Sequence, residues 1–133
     1  MGENNMIYLA VPYSHPDPRV RLERFVAVNR VAASLMRQGF LVFSPISHGH
    51  PICAEGDLPG DWQYWEHFCR AILKICKRFV VLQLDGWENS VGVQNELRLA
   101  RELGIPIEYW RPDNAMQALP KRPSIAISNQ GTY

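Results

Sequence analysis

The sequence predicts a three-layer α/β fold, a flavodoxin- or Rossmann-like parallel sheet of four to five strands flanked by helices. Two observations carry that expectation. Short apolar runs alternate with longer amphipathic stretches, in the order β-α-β-α-β-α-β. The runs are also continuous rather than alternating polar and apolar, as strands buried on both faces must be.

Residues 6–11 (MIYLAV) form the first such run, ended by Pro12. A helix is expected next, with Asp17 as its N-cap and Pro18 at its first position. Along it Phe25, Val28, Ala32 and Leu35 recur at steps of three and four, which lays down one apolar stripe, and Gly39 is the expected stop. Residues 40–43 (FLVF) give a second strand, closed by Ser44 and Pro45. Residues 45–60 are rich in Pro, Gly and His and read as a long loop, of the length that signals function or mobility. A second helix should begin between Asp61 and Trp65 and reach about Lys77. Residues 79–84 (FVVLQL) make a third strand, and a Gly-bearing turn leads to Ser90, the N-cap of a helix through Leu103. Gly104 ends that helix, and residues 105–109 (IPIEY) give a fourth strand. One domain is therefore expected over residues 1–110, with crossovers of right-handed sense. Residues 111–133 read as a Pro-rich polar tail with one short apolar run at 124–128, packed on the domain or on a neighbouring subunit.

The bulk numbers narrow the function classes. Apolar residues make up 47% of the 133, enough to build one core. A formal charge of +1 provides no global field toward nucleic acid or an anionic membrane, so neither is expected as a partner. Three cysteines without CxxC spacing favour reduced thiols. The N-terminal apolar run is too short for an export signal, and the longest apolar run cannot span a bilayer. The expectation is a soluble cytoplasmic protein.

In a parallel sheet, ligands sit beyond the carboxyl ends of the strands. The loops there bring Pro12, Tyr13, Ser14, His15, His48, His50, Asp85, Trp87, Asn89 and Ser90. The most informative stretch is Ser90-Val-Gly-Val-Gln-Asn-Glu96. Ser90 can cap the helix, Gly92 removes a side chain where a ligand could approach, and the free first-turn amides favour an anion. Glu96 lies about one and a half turns in, on the same side as Gly92 and Val93. The helix dipole should hold it ionised, as a carboxylate nucleophile requires, and its replacement should barely alter stability. The competing reading is a solvated helix glutamate behind an ordinary serine cap.

These residues resemble a known family. Tyr8-Leu-Ala-Val-Pro-Tyr13, the strand end Val-Phe-Ser-Pro45, and Ser90-x-Gly-Val-x-x-Glu96-Leu-x-x-Ala100 followed by Leu-Gly-Ile-Pro106 are similar to the nucleoside 2-deoxyribosyltransferase superfamily. The serine-to-glutamate element most resembles that of the 2′-deoxynucleoside 5′-monophosphate N-glycosidases. The likeness spans residues 7–109. It implies that Glu96 attacks the anomeric carbon of deoxyribose, and that water or a second base then takes the sugar. It further implies that Ser90 lies at a phosphate-binding helix start, that Tyr8 or Tyr13 lies near the sugar, and that the protein forms homodimers or higher oligomers. The expected catalytic set is Glu96, Asp85 and Tyr13. Tyr8, Pro12, Ser14, His48, Trp87, Asn89, Ser90 and Gly92 are expected to bind a nucleoside or nucleotide, with no cofactor and no metal.

Departures from the pattern sustain a rival. Asn89 stands where the family usually has an aspartate in the turn, and Cys69 or a neighbour stands where it has an acid on the preceding helix. Asp85 or Asp61 can substitute. The glycine-rich phosphate loop is absent, and Arg19, Arg21 or Arg24 can supply phosphate contacts in its place. A catalytically degenerate nucleotide-binding protein is the alternative. A zinc site built from His48, His50 and Cys53, with His15, is a second one. Trp62, Trp65, Trp87 and Trp110 read as core, pocket or interface aromatics.

Overall fold

The computed structural model of the chain describes residues 4–115. Strands β1 (Ile7–Ala10), β2 (Val42–Phe43), β3 (Arg78–Leu82) and β4 (Ile107–Trp110) lie parallel in the order β2-β1-β3-β4. Helices α1 (Pro18–Arg37), α2 (Pro45–Gly56), α3 (Trp62–Leu73) and α4 (Val91–Glu102) flank the sheet, and a single turn, α5 (Pro112–Ala115), follows β4. This is the α/β layering that the sequence predicts, with four strands among the described residues. The expected apolar run at 124–128 and the packing of the tail beyond Ala115 lie outside the described residues.

The period of two along a strand sorts the core into two halves. Ile7, Leu9, Val11, Val80 and Leu82 turn toward Val28, Val31 and Leu35 of α1. Tyr8, Ala10, Phe79 and Val81 turn the other way, toward Cys69 and Leu73 of α3 and Val93, Leu97 and Ala100 of α4. Tyr8 pairs in register with Phe43 on one side and Phe79 on the other, and its ring stacks on Phe79 at 5.3 Å. Each such fully buried apolar side chain stabilises the fold by about 1.5–3 kcal/mol. The same alternation sends the Tyr8 hydroxyl to the α4 side. Because β1 connects to β2 on one flank and β3 lies on the other, the loops after β1 and β3 diverge and open a crevice.

Local signals set most boundaries. Asp17 caps α1 by accepting from the Arg19 amide at 2.9 Å, with Pro18 at the first position. Gly39, at φ 96°, takes the left-handed turn that returns the chain to β2.

Residues 45–60 depart from the expectation of a loop, since 45–56 are helix α2. The composition misled, because Gly49, Pro51 and two histidines lower helix propensity. The start signal was nonetheless present: Ser44 accepts from the Ser47 amide at 3.5 Å, and Pro45 sits at the first position. An interior proline normally costs a helix about 3 kcal/mol. Tertiary contacts therefore hold α2, among them Ser47 Oγ donating to Asn29 Oδ1 of α1 at 2.5 Å.

Candidate functional site

At the crevice lies a cavity of about 650 Å³, within the range of small-molecule sites. It draws lining from the loop after β1 and from α1, α2, α3 and the start of α4. The β1 loop gives Tyr13 and Ser14, α1 gives Arg21, and α2 gives Ile46, Gly49, His50 and Cys53. Asp61 stands at the start of α3, followed along one face by Trp62, Trp65, Phe68 and Cys69. Ser90, Val91, Gly92 and Glu96 of α4 complete the lining.

Glu96 is the buried acid of the site, only 5% exposed yet open to the cavity. The Tyr8 hydroxyl, itself sealed from solvent, donates to its Oε2 at 2.5 Å. Burial pushes the Glu96 carboxyl up to about 7, against the opposing pull of the Tyr8 hydrogen bond. The expectation that the helix dipole holds Glu96 ionised is thus corrected, since loss of hydration outweighs a dipole worth at most about 1 kcal/mol at an exposed site, and the competing reading of a solvated glutamate does not fit its burial. Tyr8 is raised well above the ordinary phenol value, first by burial and then by the Glu96 charge. Cys69 is pushed up to about 11 by the same two causes in the same order. Both stay protonated at neutral pH, so Glu96 is the member of this cluster that titrates there. A carboxylate poised near neutrality can act as a nucleophile or as an acid–base group.

The start of α4 is built as expected. Ser90 Oγ accepts from the Val93 amide at 3.2 Å. At Gly92 an added Cβ would meet nothing closer than Ser90 Oγ at 3.9 Å, so the glycine leaves room beside the helix start.

Of the residues expected to act, the structure gathers Tyr13, Ser14, Ser90, Gly92 and Glu96 around the cavity, with Tyr8 directly beneath Glu96. It does not bring Asp85 to them. Asp85 is exposed and borders a separate depression of about 220 Å³ with Trp87, Glu88 and Arg111. Gly86, at φ 89°, turns the chain after β3. Arg24 holds that turn by donating to the Asp85 carbonyl at 3.0 Å and to the Ser14 carbonyl at 3.1 Å. Pro12 is buried, Asn89 is exposed, and Trp87 packs on Tyr109. His48 is exposed and stacks on Phe68 at 5.2 Å.

Of the three arginines considered for phosphate, Arg21 alone lines the cavity, while Arg19 pairs with Asp17 at the surface. His50 engages Tyr13 and Phe25 rather than His48 or Cys53. Among the described residues no three His, Cys, Asp or Glu side chains converge as a metal site.

The sequence reading placed His50 at this edge and left Trp62 and Trp65 open between core, pocket and interface, but it did not assign Ile46, Gly49 or Phe68 to a site. The α2 face as such was missed because the segment reads as a loop. The wall of Trp62, Trp65 and Phe68 recurs every three residues on α3, a spacing that fits a helix face but cannot say whether a core or a cavity lies opposite.

No helix among the described residues is long and apolar enough to cross a membrane. Comparison with curated proteins finds no match. A family model described as "Domain of unknown function (DUF1937)" matches residues 5–111, which take in all four strands and every residue of the cavity. The chain belongs to that family.

Proposed function

We propose that the protein cleaves or transfers at the N-glycosidic bond of a (deoxy)nucleoside or nucleotide, with Glu96 as the nucleophile. The observation that carries this reading is the Glu96 carboxylate, poised near neutral pH over the Tyr8 phenol and open to a cavity of small-molecule size. The carboxylate would attack the anomeric carbon, and water or a second base would then release the sugar. Trp62, Trp65 and Phe68 line the cavity, and an aromatic wall suits a planar base, where stacking contributes about 1–3 kcal/mol. Ser90 and the first-turn amides of α4 suit a phosphate or a sugar hydroxyl, with Arg21 in the same cavity.

The test is incubation with a panel of 2′-deoxynucleosides and their 5′-monophosphates, scoring free base by chromatography. Base release that depends on Glu96 supports the reading, and no release from any member sinks it. A second reading, binding without turnover, is favoured by two observations: Asp85 opens onto a different depression, and the Cys69 thiol stands beside Glu96 instead of an acid. Retained affinity for a nucleotide without base release would identify it. The proposal extends to self-association through exposed apolar residues such as Leu22 and Val26, one turn apart on α1. Light scattering that shows a monomer at tens of micromolar would remove that part.

A further inference from the structure

We infer that His50 is the general acid that protonates the departing base, an assignment that rests on the glycosidic reading above. The α2 helix carries His50 to the same cavity as Glu96. Its imidazole is held on two sides. The Phe25 ring stacks on it at 4.2 Å and 24°, and the Tyr13 hydroxyl is hydrogen-bonded to Nδ1. Nε2 has no hydrogen-bond partner among the described residues. A ring locked by stacking and by one nitrogen, with the other nitrogen unspent, is what proton transfer to a bound molecule requires.

The Tyr13 phenol suits both states of such a group. Its oxygen accepts from Nδ1–H, and its own proton is retained because burial raises it. The other acids serve less well. Burial keeps the Cys69 proton in place, Asp85 faces elsewhere, and Asp61 is exposed at the start of α3.

The step balances as follows. A Glu96 carboxylate oxygen bonds to the anomeric carbon while the carbon–nitrogen bond breaks, and that electron pair goes to the base. The His50 imidazolium gives its Nε2 proton to the base and becomes neutral imidazole. Water then bonds to the anomeric carbon, and the ester bond to Glu96 breaks with its pair returning to the carboxylate. Nε2 takes the water proton and the imidazolium is restored. In transfer, an N–H of the incoming base replaces water.

The experiment compares wild type, His50→Gln, Tyr13→Phe, Asp61→Asn and Glu96→Gln on two substrates. One is a natural deoxynucleoside or monophosphate cleaved in the panel above, and the other is 4-nitrophenyl 2-deoxyriboside, whose leaving group needs no proton. His50→Gln should slow release of the natural base by about 10²–10⁴-fold and release of 4-nitrophenol by less than about tenfold. Tyr13→Phe should show a smaller loss with the same selectivity, and Glu96→Gln should lose both activities. The assignment is overturned if His50→Gln cleaves the natural substrate at the wild-type rate, or if it loses both substrates equally. Selective loss in Asp61→Asn alone also overturns it. Wild-type protein that cleaves neither substrate refutes the glycosidic reading and this assignment with it.

Discussion

The Tyr8 hydroxyl donates to the Glu96 carboxylate at 2.5 Å, joining β1 to α4 across 88 residues of sequence. The contact ties the middle of the sheet to the one acid buried at the cavity, so its chemistry and its stability consequences are linked.

Tyr8→Phe removes the bond that favours the charged form of Glu96. The carboxyl should then titrate at higher pH, and the acid limb of the rate profile should move up with it. Above neutral pH the variant should also lose about 1–3 kcal/mol of stability, because the charged carboxylate has lost its buried donor. Rate–pH profiles and denaturant melts at two pH values check both effects. An unmoved acid limb would mean that Tyr8 does not tune Glu96.

Glu96→Gln keeps the shape and an acceptor for Tyr8 but removes the attacking charge. Base release should fall by several orders of magnitude. Equal release by wild type and variant would end the covalent mechanism. Stability should change as well, contrary to the sequence expectation. The folded carboxyl titrates near 7 rather than at the ordinary 4.5, so the fold favours the protonated form. In wild type this contribution is fully present below about pH 4.5 and is lost as pH rises to about 7. At about 1.4 kcal/mol per unit the total is roughly 3 kcal/mol. The variant should lack that slope and be the more stable protein at pH 8. Parallel pH–stability curves for the two proteins would contradict the burial account.

Gly92→Ala places a methyl where nothing lies within 3.9 Å, in a helix position where alanine is favoured by up to about 1 kcal/mol. The melting temperature should hold or rise while ligand affinity falls, as calorimetry on both can show. Unchanged affinity would mean that no ligand approaches the α4 start.

Ser90→Ala should cost about 1 kcal/mol of stability, through loss of the bond to the Val93 amide. A ligand affinity lowered by a similar amount, read by titration on the folded variant, would separate a binding role from a purely capping one.

Cys53 is partly exposed on the cavity face of α2, whereas Cys69 and Cys76 are buried, with thiols pushed up to about 11. A thiol reagent on the native protein should modify Cys53 alone, and a bound nucleotide should slow the reaction. Mass spectrometry of labelled peptides reads both. Labelling of Cys69 in the native protein would mean that the cavity floor opens.

The sequence by itself determined the order of the four strands, the starts of α1 and α4, and the placing of Glu96 just inside α4. Those features rest on local chemistry: Asp17-Pro18 and Ser90 as caps, Gly39 as a left-handed stop, and apolar runs too continuous for a half-exposed strand. It did not determine that residues 45–56 are helical, because Pro51 and Gly49 argue locally for a loop, and tertiary packing on α1 and against Phe43 and Phe68 outweighs them. Nor did it separate Asp85 from the other acids, since the turn at Gly86 depends on Arg24 reaching across from α1. Tertiary structure alone decided the character of Glu96. A helix start taken in isolation favours a charged carboxylate, but strand alternation turned Tyr8 toward α4, and packing of α3 and α4 on the sheet removed the water around it. Hydration is lost to neighbours far apart in the chain, so no pattern read along the sequence could have shown it.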